Sequence, residues 1–107
     1  MIYEWREYYI APGKQAALHK RFQEHSLKLF AKHGITVMGF WDVFIGEAPK
    51  LVYLCQYPDL GVRERAWNGF YSDPEWIAAK AESEKDGVLT TKVVNSILKP
   101  TEFSAMK

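Results

Sequence analysis

Glu4, Arg6 and Tyr8 are spaced two residues apart near the start of the chain. In an extended strand alternate side chains share a face, so the three stand in one row. Neighbours in such a row are about 6.5–7 Å apart, close enough for a carboxylate and a guanidinium to interact. On a buried face the pair costs in desolvation about as much as it returns. A chain that keeps it there has a use for it. The functional use is that Arg6 holds an anionic or carbonyl group while Tyr8 donates a hydrogen bond. The structural use is a salt bridge that fixes an interface or lies near a sheet edge. Trp41, Tyr53 and Tyr57 complete the candidate pocket as aromatic walls, because ligand sites are mostly apolar with a few placed polar groups. Plain core is the alternative reading of these aromatics. No residue is assigned a catalytic role.

Other chemistries find little support. His19, His25 and His33 fall in one stretch of helical periodicity. His25 is expected on its apolar side as a packing residue, and His19 and His33 in solvent. No H-E-x-x-H or paired-cysteine spacing occurs, so no structural zinc is expected. The single cysteine, Cys55, forms no intrachain disulfide, and without an adjacent base it reads as a small core residue. Glycine-rich phosphate loops, dinucleotide fingerprints and the G-x-S-x-G elbow are absent. That argues against ATP, NAD and serine-hydrolase chemistry, and no cofactor is expected.

The elements that carry these residues follow from periodicity. Residues 2–10 read as a strand, rich in Ile, Tyr and Trp. Ala11-Pro12-Gly13 breaks it, with Pro12 suited to a helix start. Residues 14–33 read as a helix through Leu18, Phe22, His25 and Leu29, with Gly34 as a left-handed cap. Residues 35–45 and 51–57 read as a hairpin around Gly46-Glu47-Ala48-Pro49, with a bulge or close approach at Gly39. Asp59 caps the next helix, which is expected to break near Asn68-Gly69. Arg63, Glu64 and Arg65 read as its solvated side. Ser72-Asp73-Pro74-Glu75 has the form of a capping box opening a further helix to about Lys85. Residues 88–98 read as the last strand. The order β-α-β-β-α-β points to a single α+β domain over 1–107, with a ferredoxin-like antiparallel sheet and its helices on one face.

The opposite face of that sheet is also apolar. Residues 35–45 place Ile35, Val37, Trp41, Val43 and Ile45 on one parity and Met38, Phe40 and Phe44 on the other. A face open to water would alternate with polar residues, and an uncovered one of this kind is a sticky patch. A second copy is the simplest cover, so a homodimer is expected. Composition agrees with a folded, soluble chain: of 107 residues 48% are hydrophobic, 15% aromatic and 25% charged. Fourteen basic residues against 13 acidic ones leave a net charge of +1 with no basic stripe, so no nucleic-acid partner is expected. No apolar run nears the about 20 residues of a membrane span. Glu4 and Glu7 interrupt any signal-peptide pattern, so a cytoplasmic setting is expected.

Several segments carry a family resemblance. Tyr3-Glu4-Trp5-Arg6-Glu7-Tyr8 with Pro12-Gly13, then Gly39-Phe40-Trp41, Asp73-Pro74-Glu75-Trp76, and Ile97-Leu98-Lys99-Pro100-Thr101 with Phe103-Ser104 resemble NIPSNAP proteins in family order across nearly the whole chain. The resemblance implies the dimeric α/β barrel, in which two ferredoxin-like sheets close around a pocket. Relatives of that superfamily include monooxygenases, haem-degrading enzymes, isomerases and binding proteins. NIPSNAP members themselves are described as vesicle-associated, mitochondrial or adaptor proteins without a shared reaction. Lacking a transit-type start, this chain is similar to the short bacterial form. It departs from the family at Tyr53 and Cys55, where histidine and tryptophan are common. The expected function is a homodimeric protein enclosing a small, mostly apolar ligand. The alternatives are a cofactor-independent monooxygenase or isomerase, and a protein-interaction adaptor.

Overall fold

The computed structural model describes all 107 residues. Alternating aromatic and polar residues build strand β1, Ile2–Ile10. A turn at Pro12-Gly13, with Gly13 at φ 75°, leads into helix α1, Gln15–Arg21. A π-helical segment, Phe22–Ser26, follows, and helix α2, Leu27–His33, completes the stretch. Gly34 ends it at φ 77°, where a side chain would be strained. Strands β2, Thr36–Asp42, and β3, Lys50–Tyr57, form the hairpin. Helices α3, Leu60–Ser72, and α4, Pro74–Ser83, precede β4, Thr90–Leu98.

The four strands lie in the order β2-β3-β1-β4. Every neighbouring pair is antiparallel. The helices cover one face, giving the ferredoxin-like α+β fold expected from the element order. Even-numbered residues of β1 and odd-numbered residues of β3 point to the helices, since Ile10, Leu51, Tyr53, Cys55 and Tyr57 share one core with Leu18, Phe22, Leu29, Phe30, Trp67, Phe70 and Trp76. Phe30 is the hub: its ring centroid lies 6.2 Å from Phe22, 6.0 Å from Tyr53, 5.4 Å from Trp67 and 5.0 Å from Phe70. The aromatic surplus of the composition is therefore largely a set of edge-on and tilted rings between sheet and helices.

Four local expectations need correction. The first helix is not uniformly α: a π segment interrupts it, and His25, expected on the apolar side, has its side chain 38% exposed, whereas Ser26 beside it is buried. Helix α3 runs through Asn68-Gly69 and ends only at Ser72. Gly69 serves close packing there, because a Cβ would lie 2.7 Å from Nδ1 of His33. Asp73, not Ser72, caps α4, accepting from the Glu75 backbone N–H at 2.9 Å, while the Ser72 hydroxyl donates back to the Asn68 carbonyl. Finally, β2 stops at Asp42, leaving Phe44 and Ile45 exposed in the connecting loop. The bulge anticipated at Gly39 is present, between Val37 and Gly39. It displaces the alternation by one, so Val37 and Phe40 face the helices while Trp41 faces away.

Candidate functional site

The row Glu4, Arg6 and Tyr8 lies on the helix-facing side of β1, directly beneath α3. Tyr53 and Tyr57 of β3 stand beside it. Five of the six candidate pocket residues thus meet in one cluster. Trp41 alone lies outside that cluster: it is half-exposed, its ring 6.0 Å from Trp5, and it lines a separate cleft at the β2 edge.

Glu4 has no solvent exposure and is the acceptor at the centre. Its Oε2 accepts from Arg6 Nη1 at 2.9 Å, Arg63 Nη2 at 2.9 Å and Asn95 Nδ2 at 2.7 Å. Its Oε1 accepts from Tyr57 at 2.8 Å and Arg63 Nε at 3.2 Å. The Trp67 indole N–H donates to the Tyr57 hydroxyl at 2.6 Å, which orients that hydroxyl toward the carboxylate. Burial by itself would raise the Glu4 pKa. The hydrogen bonds from Arg63 and Asn95, the charge of Arg6 and the Tyr57 hydroxyl outweigh it and hold the carboxyl at about 2.

Arg6 is 4% exposed. Its Nε donates to the Tyr53 hydroxyl at 2.8 Å and its Nη2 to the Tyr71 hydroxyl at 3.2 Å. Its guanidinium lies 4.1 Å from the Trp67 ring centroid, a cation–π contact shielded from water. Tyr53 and Tyr8 share a hydrogen bond at 2.7 Å. Burial raises the Tyr53 and Tyr57 phenols, so both remain neutral donors at ordinary pH. No buried side-chain nitrogen or oxygen of the chain lacks a partner. Cys55, also at 0% exposure, is pushed up to about 11 by burial and takes no part as a thiolate.

Sequence reasoning missed Arg63, which reaches under the helix to Glu4 instead of facing solvent, and Asn95, Trp67 and Tyr71. The spacing Arg63, Trp67, Tyr71 is i, i+4, i+8, one helical ridge, and was the available signal.

A separate cleft of about 220 Å³ opens between α1, the π segment and the β2 end of the sheet. Phe22, Leu27, Phe40, Trp41 and Leu51 supply apolar walls, and His19 and Asp42, joined at 2.8 Å, stand at it. Phe22 and Phe40 back directly onto Tyr53, at 5.7 and 5.0 Å between ring centroids. The cleft and the polar network therefore share a wall. His33, expected in solvent, instead bonds Asp73 at 2.7 Å. The three histidines stand apart, and no three potential metal ligands converge.

Fold and site together define a ferredoxin-like α+β protein with a buried arginine–glutamate–tyrosine network under its helices. The NIPSNAP family model matches residues 3–105, and the chain belongs to that family. Among solved structures it is similar to a NIPSNAP family protein, Atu5224, of Agrobacterium tumefaciens, at 25% identity and a TM-score of 0.87 over 99% of this chain and 98% of that one. An uncharacterized NIPSNAP-like domain protein of Burkholderia xenovorans matches at 25% identity and 0.84, over 96% and 87%. A more distant likeness, 15% identity and a TM-score of 0.66 over 94% and 95%, is to an R26S mutant of MhuD with two manganese protoporphyrin IX bound per active site. That last likeness shows shared fold alone. No curated protein matches the chain.

Proposed function

We propose that the protein is a homodimer that binds a small, mostly apolar molecule in the cleft beneath α1. The observation that carries this reading is the cleft itself: an apolar recess beside a polar network already satisfied within the chain. Ligand pockets usually span about 300–1,000 Å³, and an apolar cavity of about 150 Å³ admits benzene. At about 220 Å³ the cleft suits a one- or two-ring aromatic. His19 and Asp42 at its wall would read a single polar group. A π segment contributes Phe22 and Gln23 to the lining, and such segments recur at functional sites.

The dimer would form through the sheet face that carries Trp5, Trp41, Leu54 and Leu98, which no helix covers. Trp41 and Leu98 keep 50% and 41% of their surface exposed in one copy.

Indole is the probe for the cleft. Titration followed by NMR is expected to shift the signals of Phe22, Leu27 and Phe40, and Leu27→Glu, at an exposed position, is expected to abolish the effect. Indole that leaves those signals unmoved removes the reading. The enzyme alternative keeps one specific support, the hydrogen-bonded series Arg6–Tyr53–Tyr8 ending at the half-buried Tyr8 hydroxyl. Its signature would be consumption of the bound aromatic under air, lost in Tyr8→Phe.

A further inference from the structure

The lining of the α1 cleft divides by chemistry. Phe22, Leu27, Phe40, Trp41 and Leu51 are apolar; His19, Gln23 and Asp42 are polar. Three of the five apolar residues are aromatic, and the face of an aromatic ring attracts a cation. No lysine or arginine lines the cleft, so Asp42 is its one acidic group without a basic side chain beside it other than an imidazole. The bulge near Gly39 sets this arrangement. It turns Phe40 toward the helices, and Asp42, two residues further along the strand, comes to the same side and meets His19 of α1.

The Asp42 carboxylate is only partly used. An ionised carboxylate offers about four acceptor positions. Its Oδ1 meets Nε2 of His19 at 2.8 Å, and its Oδ2 makes no bond within the chain. The imidazole balances its charge only when protonated. With a neutral imidazole the cleft holds one net negative charge. The Asp42 side chain is 42% exposed, so water reaches the free oxygen and a ligand can take the place of that water. Glu4 differs in kind, since both of its oxygens are already occupied by donors of the chain.

We propose that the cleft selects a primary arylalkylamine, a one- or two-ring aromatic with a short arm ending in an ammonium group. The proposal rests on the reading of this cleft as a ligand site and adds the charge of the ligand. The ring lies against the apolar walls. The ammonium donates to Oδ2 of Asp42, with its charge near the aromatic side chains of Phe40 and Trp41. A hydroxyl in its place donates once and brings no charge. A carboxylate in its place meets Asp42 as a like charge.

The test is a titration of the full chain with three compounds that share the indole ring: tryptamine, the neutral tryptophol, and indole-3-acetate. It is run at low salt and about pH 8, where an ordinary imidazole is neutral, and NMR follows the signals of Phe22, Leu27, Phe40 and Asp42. Tryptamine is expected to bind about threefold or more tightly than tryptophol, the equivalent of roughly 0.7 kcal/mol and within what a half-exposed ion pair returns. Indole-3-acetate is expected to bind more weakly than either. Sodium chloride at about 0.5 M is expected to narrow the gap between tryptamine and tryptophol. Asp42→Asn, at an exposed position, is expected to close it. Equal affinity for tryptamine and tryptophol, tighter binding of indole-3-acetate, or a gap that survives Asp42→Asn would each overturn the amine and leave the cleft as a ligand site. Failure of indole and all three compounds to move these signals would remove the cleft reading and the amine with it.

Discussion

Glu4 concentrates the cost and the purpose of this fold in one side chain. It accepts from β1, β3, α3 and β4 at once. Replacing it with glutamine leaves Arg6 without its counter-charge and Arg63 with Glu64 alone. Removing one partner of a buried pair costs about 3–5 kcal/mol, a large part of the about 5–15 kcal/mol that holds a domain folded. Chemical denaturation of Glu4→Gln should show a loss of that size at pH 7. The pH dependence has a definite sign. The Glu4 carboxyl falls from an ordinary 4.5 to about 2 on folding, so its contribution is fully present above pH 4.5 and is lost as the pH falls through 2. Between those limits the wild type should lose stability with acid more steeply than Glu4→Gln, as followed by urea midpoints. The row Glu4, Arg6, Tyr8 was legible in the sequence because a strand repeats every two residues. Arg63 and Asn95 were not, since they lie 59 and 91 residues from Glu4 and only the tertiary fold brings them in.

At the scale of elements, the caps were the clearest signals. Asp59 accepts from the Val62 N–H at 2.9 Å and Gly34 takes the left-handed turn, both as their residue types demand. The errors came where packing overrode local chemistry. Asn68-Gly69 has the composition of a break, yet α3 continues because Gly69 makes room for His33. That substitution of role can be measured. Glycine in a helix interior costs about 1 kcal/mol relative to alanine. Gly69→Ala should nevertheless destabilise the wild type, since the new methyl forces His33 off Asp73. In a His33→Ala background the same change should stabilise by about 1 kcal/mol, and a double-mutant cycle of unfolding free energies reads the difference. The π segment had no such signal: Leu18, Phe22, Ser26 and Leu29 fit an ordinary helix equally well.

At the scale of the whole molecule, strand order was readable because few topologies satisfy β-α-β-β-α-β, whereas the facing of Trp41 was lost to one bulge. That facing has a consequence for assembly. If the uncovered sheet face is the dimer contact, Trp41→Asp should convert a dimer to a folded monomer by light scattering, with far-UV circular dichroism unchanged. A wild type that stays monomeric at every concentration would remove the dimer. The strand order β2-β3-β1-β4 also sets when the sheet can close during synthesis. Strand β1 sits between β3 and β4, with Tyr3 opposite Leu98. Until the final strand has emerged, β1 keeps one row of backbone N–H and C=O groups unpaired, and Glu4 waits for Asn95. The sheet therefore closes only once β4 has emerged, and nascent chains halted before residue 90 would present a bare edge on β1.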